Sequence, residues 1–323
     1  MSNIELSKEN KVEKLEMRVA LCNTLIKLAK KNKEIVYLDS DLMSSMKTVE
    51  FGKQFPDRTF NCGVQEANMI GVAAGLSSLG KIPFTHTFGP FATRRCFDQV
   101  FLSGGYAKQN IKMVGSDPGV TAAKNGGTHM PFEDLGLMRI IPDMTIITLT
   151  DTTMLKDIVL QSSKNYGMYY LRLLRKNAVK IYEENSSFEI GKAIEIKSGN
   201  DVTIIANGIM VSEAIKAYKI LKDSGINARV LDMFTIKPLD EDAIIKAAKE
   251  TGAVVTCENH NYINGLGSAV AECLSEKYPT PLRRVGIKDK FGQVGSVEFL
   301  KEQYELTAKD IVKNVKSVLK MKK

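Results

Sequence analysis

The chain has 323 residues, 44% of them hydrophobic and 25% charged, with a formal net charge of +8. This is the make-up of an ordinary globular protein, long enough for two domains of roughly 150 residues each. No apolar run reaches the ~18 residues of a membrane span, and the lysines are spread over helix faces without interleaved aromatics, which sets aside a nucleic-acid stripe and leaves a bias towards anionic small molecules.

The start, MSNIELSKENKVEKLEMR, has no apolar signal core, so a cytoplasmic setting is expected. Helical periodicity then covers about Lys14 to Lys31, and EIVYLDS reads as a buried strand. In TFNCGVQEANMIGVAAGLSSLG, a strand ends at Asn61–Gly63 and a helix follows whose apolar positions, Ile70, Val72, Ala73, Ala74 and Leu76, suit a core. Glu66 stands in the first turn of that helix. Two readings are open for it. The helix dipole stabilises a first-turn carboxylate by ~0.3–1 kcal/mol; alternatively, a carboxylate beyond a strand end faces a ligand. KIPFTHTF is the next strand, followed by a helix expected from about Phe91 to Lys108; NIKMVGSD, MTIITLTD and YYLRLL are further strands.

A polar break, YEENSSFEIGKAIEIKSGN, interrupts the rhythm, and the expected division is 1–185 and 186–323. The alternation then resumes with DVTIIANG (strand), VSEAIKAYKILKDSG (helix, Gly225 as its stop), ARVLDM (strand), EDAIIKAAKETG (helix), AVVTCEN (strand) and GLGSAVAECLSEK (helix). Strands alternating with helices predict an α/β protein of two domains, each a mainly parallel sheet flanked by helices. The five cysteines, Cys22, Cys62, Cys96, Cys257 and Cys273, show no CxxC spacing, and neither a disulfide framework nor a protein metal site is expected. The GLG run lacks the full GxGxxG pattern of a dinucleotide site.

If the first sheet is parallel, Glu66, then Phe88 and Phe91, then the loop GSDPGVTAAKNGGTHM all follow strand ends on one edge. Two aromatics, a carboxylate and a polar loop can hold a flat nitrogen-containing ring. With these residues in order, the chain resembles the C-terminal half of a transketolase. GVQEANM is similar to the family's glutamate motif, THTFGPFATRRCFDQV to its aromatic segment and NGGTHM to its loop. EDLGLMRIIPDMTIITLTD, RVLDMFTIKPLDEDAI and ENHNYINGLGSAVAE extend the likeness from about Arg18 to the end. The resemblance implies the pyrimidine-binding and C-terminal domains, and ketol transfer on thiamine diphosphate. It matches Glu66 to the carboxylate that bonds the aminopyrimidine, Phe88 and Phe91 to the aromatics flanking it, His129 to a histidine at the substrate's reacting oxygen, and Arg18, Ser45 and Arg175 to the sugar-phosphate grip. For the phenylalanines core packing, for His129 a backbone bond, and for Arg18, Ser45 and Arg175 surface pairing are the competing readings. His86 is open between the cofactor edge and core or strand-end bonding, and His260 is expected to serve packing.

Two positions depart from the family pattern. Asp117 stands where transketolases usually carry a histidine, and Asn125 where they carry an aspartate that reads a donor hydroxyl. The substrate-reading residues are altered while the cofactor residues are kept, which puts the usual pentose phosphates in question. The family's Gly-Asp-Gly motif for diphosphate and metal is absent from the sequence. The resemblance therefore implies a split enzyme: a separate N-terminal subunit would bind the diphosphate and Mg2+ or Ca2+, and this chain would form a homodimer and join a two-plus-two assembly. Other thiamine diphosphate enzymes, a deoxyxylulose phosphate synthase or a 2-oxoacid dehydrogenase beta subunit, and a non-catalytic homologue are the alternatives.

Overall fold

The computed structural model describes residues 3–322. The chain divides into two compact units, the first running through Pro118 and including Leu137–Phe188, the second comprising Gly119–Gly136 and the chain from Glu189 on.

In the first unit the strands are β1 (Ile35–Asp39), β2 (Thr59–Asn61), β3 (Ile82–Phe88), β4 (Lys112–Ser116), β5 (Thr145–Thr148) and β6 (Tyr169–Leu173). They lie side by side in the order β5-β6-β4-β3-β1-β2, and every pair is parallel. The sequences explain this: β1, β4 and β6 are buried at all five positions, as expected of strands covered by helices on both faces. The helices Met17–Lys31, Glu66–Ser78 and Thr152–Lys164 supply much of that cover. Asp151 caps the last of them through Met154 N–H at 3.0 Å, and its other oxygen accepts from Ile181 and Tyr182 N–H at 2.9 and 2.8 Å, tying down the segment after β6. Because the strands are parallel, their carboxyl ends share one edge; Phe88 ends β3 there, and Ser45, Glu66, Phe91, Asp117 and Arg175 follow strand ends.

The single helix expected from Phe91 to Lys108 is instead four short pieces: a turn of α-helix Gly89–Ala92, a 3-10 turn Arg94–Cys96, a short turn Phe97–Gln99 and a π-helical stretch Val100–Tyr106. Thr93 breaks it, with backbone angles of −116° and −84° and its hydroxyl donating to Gly89 O at 2.8 Å. Gly104 and Gly105 then let the widened coil lie close to Met168 and Ile141: a Cβ would come within 2.6 and 2.8 Å of those side chains.

The second unit has the sheet order β12-β11-β8-β9-β7, with β7 (Ile194–Lys197), β8 (Val202–Ala206), β9 (Ala228–Asp232), β11 (Val254–Asn261) and β12 (Leu282–Ile287); β10 (Thr235–Lys237) is a further short strand. Only β7 of this sheet runs antiparallel, against β9. It falls within the stretch read as a polar break, because IEIK is an edge strand buried at alternate residues. The excursion Gly119–Gly136 is held here by Val120 N–H donating to Asn259 Oδ1 at 2.9 Å, by Asn261 N–H donating to Phe132 O at 2.9 Å, and by Phe132 packing edge-on to Tyr304, 5.5 Å between centroids.

The GLG run has a structural explanation. Glu258 accepts from Leu266 and Gly267 N–H at 2.7 and 2.8 Å, capping the helix Leu266–Lys277 with a buried carboxylate. A Cβ on Gly265 would sit 1.8 Å from Glu258 Oε2, so only glycine leaves room for that cap. Among the described residues no helix is long and apolar enough to cross a membrane, no group of His, Cys, Asp and Glu is placed to hold a metal ion, and all five cysteines are free thiols.

Candidate functional site

Glu66 is the first residue of the helix that follows β2, and its side chain is 2% exposed. Thr87 in β3 donates its hydroxyl to Oε1 at 3.2 Å, and Arg95 Nη1 donates to Oε1 and Oε2 at 3.0 Å each. The Arg95 guanidinium also stacks on Phe91, 3.7 Å from the ring centroid, and Phe91 meets Phe88 edge-on at 6.2 Å and 73°. A first-turn carboxylate held by the helix dipole alone would lie in solvent beside its own amides. This one is buried, and the planar cation that pairs with it is itself stacked on Phe91.

Arg18, Ser45, Asp117 and Arg175 form a second cluster on the same edge. Arg175 Nη2 lies 3.0 Å from Asp117 Oδ2, Nη1 donates to the Ser45 hydroxyl, and the guanidinium sits 5.1 Å from the centroid of Phe88. Arg18 donates to the Ser45 carbonyl at 2.5 Å and makes a two-pronged pair with Glu16, Nε to Oε2 at 2.9 Å and Nη2 to Oε1 at 3.0 Å. That pair holds the Glu16 carboxyl down to about 2, with Lys47 at 2.8 Å assisting. Asp117 is 1% exposed, and burial raises its pKa while Arg175 and His86 oppose the rise. Each arginine fork therefore already has a carboxylate partner, and Ser45 joins the two forks.

His86 is resolved in favour of strand-end bonding. In the parallel register it stands opposite Asp39; Nδ1 is 3.0 Å from Asp39 Oδ2 and Nε2 is 3.1 Å from Ser116 Oγ. The row has the order of a nucleophile, base and acid, but the three side chains are at most 1% exposed, with Tyr37 adding a bond to Asp39 at 2.9 Å. It links the ends of three neighbouring strands, and Ser116 at its end leads directly into Asp117.

Asn125 and His129 are carried by the second unit, in the segment Gly119–Gly136. Asn125 is exposed, and His129 Nδ1 lies 2.9 Å from Thr128 Oγ1. The adjoining Gly126 and Gly127 are required by packing: Gly126 has φ of +76°, and a Cβ on Gly127 would be 2.4 Å from Gly292 O. His260 is fully buried, with Nδ1 2.6 Å from Asn261 O and Nε2 3.4 Å from Gly136 N and 3.8 Å from Asp134 Oδ1.

Three contributors escaped the sequence reading: Arg95, Thr87 and Glu16. The paired arginines directly after the aromatic motif, in FATRRC, were the available signal for Arg95. Glu16 gave none, since its partners come from three separate segments.

The transketolase pyrimidine-binding domain family matches residues 13–180, and the transketolase C-terminal domain family matches residues 191–311. The 6-deoxy-6-sulfo-D-fructose transketolase subunit of Clostridium sp. (strain MSTE9) is 51% identical over 314 residues, covering 97% of this chain and 98% of that protein. An apulose-4-phosphate transketolase subunit of Phocaeicola vulgatus is 35% identical over 304 residues, covering 94% and 97%. A solved structure described as a split gene transketolase, inactive beta4 tetramer, is similar with a TM-score of 0.88 and 43% identity, covering 96% of this chain and 99% of that one.

Proposed function

The chain belongs to the transketolase family, of which it carries the pyrimidine-binding and C-terminal domains, and on that premise we propose that it is the C-terminal subunit of a thiamine-diphosphate-dependent enzyme moving a two-carbon ketol unit from a ketose to an aldose. The observation that carries this reading is the buried Glu66 carboxylate paired with a flat cation that is itself stacked on Phe91. That seat fits an aminopyrimidine, which presents the same kind of planar nitrogen edge. Thiamine diphosphate, when bound, supplies the electron sink for breaking the ketose carbon–carbon bond. Glu66 would share a proton with the ring nitrogen, Thr87 would hold Oε1 in line, and Phe88 and Phe91 would flank the ring. In an environment this dry, such a shared proton interacts more strongly than in water. His129 is assigned to the substrate's reacting oxygen by family resemblance alone.

No Gly-Asp-Gly occurs in the 323 residues, so the diphosphate and its Mg2+ or Ca2+ would fall to a partner subunit, in a cytoplasmic assembly. The relatives named as subunits match this chain over nearly its full length and theirs, which supports the division.

For the donor we take a ketose ending in a sulfonate. The relative at 51% identity is named for such a sugar, and the charge balance at Arg18 and Arg175 agrees. Each arginine is already compensated, one by Glu16 and one by Asp117. A sulfonate brings a single negative charge, whereas a sugar phosphate near neutral pH brings nearly two, with a second ionisation at about 6. The test is ketol transfer by the chain assembled with its diphosphate-binding partner, comparing kcat/KM for 6-deoxy-6-sulfofructose and fructose 6-phosphate. The expected preference is for the sulfonate, widening as pH rises from about 5.5 to about 8 and the phosphate takes on its second charge. A preference for the phosphate at the upper end of that range refutes the donor assignment.

A further inference from the structure

We propose that Arg95 is a self-ligand: in the lone chain its guanidinium occupies the seat of the cofactor's pyrimidine and must withdraw before the ring can enter. The proposal rests on the reading of Glu66 and Phe91 given above.

Three observations carry it. The Arg95 guanidinium engages both recognition elements at once, bonding both oxygens of Glu66 at 3.0 Å and stacking on Phe91 at 3.7 Å. An aminopyrimidine bound as proposed needs one of those oxygens and the same aromatic face, so the two occupants exclude each other. The charge logic is also exclusive. A permanent cation bonded to both oxygens favours the ionised carboxylate, whereas Glu66 must share a proton with the ring. Finally, the pair is asymmetric in burial: the Arg95 side chain is 42% exposed while that of Glu66 is 2% exposed. Arg95 covers the carboxylate from the solvent side, on a three-residue turn between Thr93 and Phe97, and rotation about its own side-chain bonds is enough to release it.

The arrangement keeps a buried carboxylate compensated while the chain lacks cofactor, which matters because an unpaired buried charge is costly. It also lowers the apparent cofactor affinity by the fraction of chains in which the seat is open. Cofactor binding is thereby favoured in an assembly that can hold the diphosphate as well.

The experiment is titration of thiamine diphosphate with Mg2+ into the full chain, alone and assembled with the diphosphate-binding partner, for wild type, Arg95→Ala, Arg95→Gln and Glu66→Gln. Arg95→Gln retains a polar side chain over Phe91 without the charge. Both Arg95 variants are expected to bind the cofactor about three- to tenfold more tightly, as removal of a competing occupant requires. Unchanged or weaker binding in both Arg95 variants, while Glu66→Gln impairs binding, overturns the self-ligand and leaves the Glu66 reading intact. A Glu66→Gln chain that binds like wild type overturns the Glu66 reading and the self-ligand with it.

Discussion

Glu66 and Asp117 are both buried carboxylates on one sheet edge, each facing an arginine, yet they are given opposite tasks. On the proposed reading Glu66 parts with its arginine when the cofactor binds, and replacing it by glutamine would remove the shared proton while keeping size and hydrogen-bonding capacity. The expected loss for Glu66→Gln is about 10²–10⁴-fold in kcat, typical of a general acid–base group, with an unchanged circular dichroism spectrum; near-wild-type activity in the reconstituted enzyme would reduce Glu66 to a helix-dipole residue. Asp117 instead stays with Arg175, 3.0 Å away, and neutralises it. Asp117→His removes that charge and leaves the Arg175 fork uncompensated. Phosphorylated donors should then gain about tenfold in kcat/KM relative to sulfonated ones, equivalent to ~1.4 kcal/mol. A ratio that stays put shows that Asp117 does not read the donor's anionic end.

At the scale of elements, the strands of the first unit and β8 of the second were legible because parallel strands buried on both faces are near-continuous apolar runs, as IVYLD and VTIIA are, whereas β7, β10 and β12 were not read from the sequence. Glu66, Phe88 and Phe91 were singled out by their motifs, and the structure brings them to one sheet edge. What was not legible depended on three-dimensional compensation. The helix after β3 is broken at Thr93 and widened at Val100–Tyr106 because Gly104 and Gly105 admit Met168 and Ile141, residues far along the chain. The partner of Glu66 lies 29 residues on, beyond any helical or strand period. Gly265, before the helix Leu266–Lys277, belongs to the same class: its reason is Glu258, on the preceding strand. Gly265→Ala forces a Cβ into that carboxylate, which should destabilise the second unit by about 1–3 kcal/mol, the usual cost of overfilling a packed site. Calorimetry checks this; an unshifted melting temperature would mean that Glu258 is free to move and does not fix the helix start.

For the whole molecule, the proposed seat for the ring lies on this chain while the motif for the diphosphate and metal is absent from the sequence. The chain alone is therefore expected to bind thiamine diphosphate weakly and to show no ketol transfer, and the partner should restore both. Tight, Mg2+-dependent binding with turnover by the lone chain would end the split-subunit reading. The similar solved structure, described as an inactive beta4 tetramer of a split gene transketolase, leads us to expect self-association of this chain too, which light scattering measures. The excursion Gly119–Gly136 adds a constraint of another kind, on modularity. Its residues are spelled between two stretches of the first unit, but Val120 and Phe132 are buried in the second. No single cut can yield either unit whole: a gene fragment ending at Phe188 carries apolar side chains whose packing partners it lacks, and one starting at Glu189 has a gap where they belong. The two domains can thus be told apart as folds, yet neither is expected to fold fully when expressed as one contiguous piece.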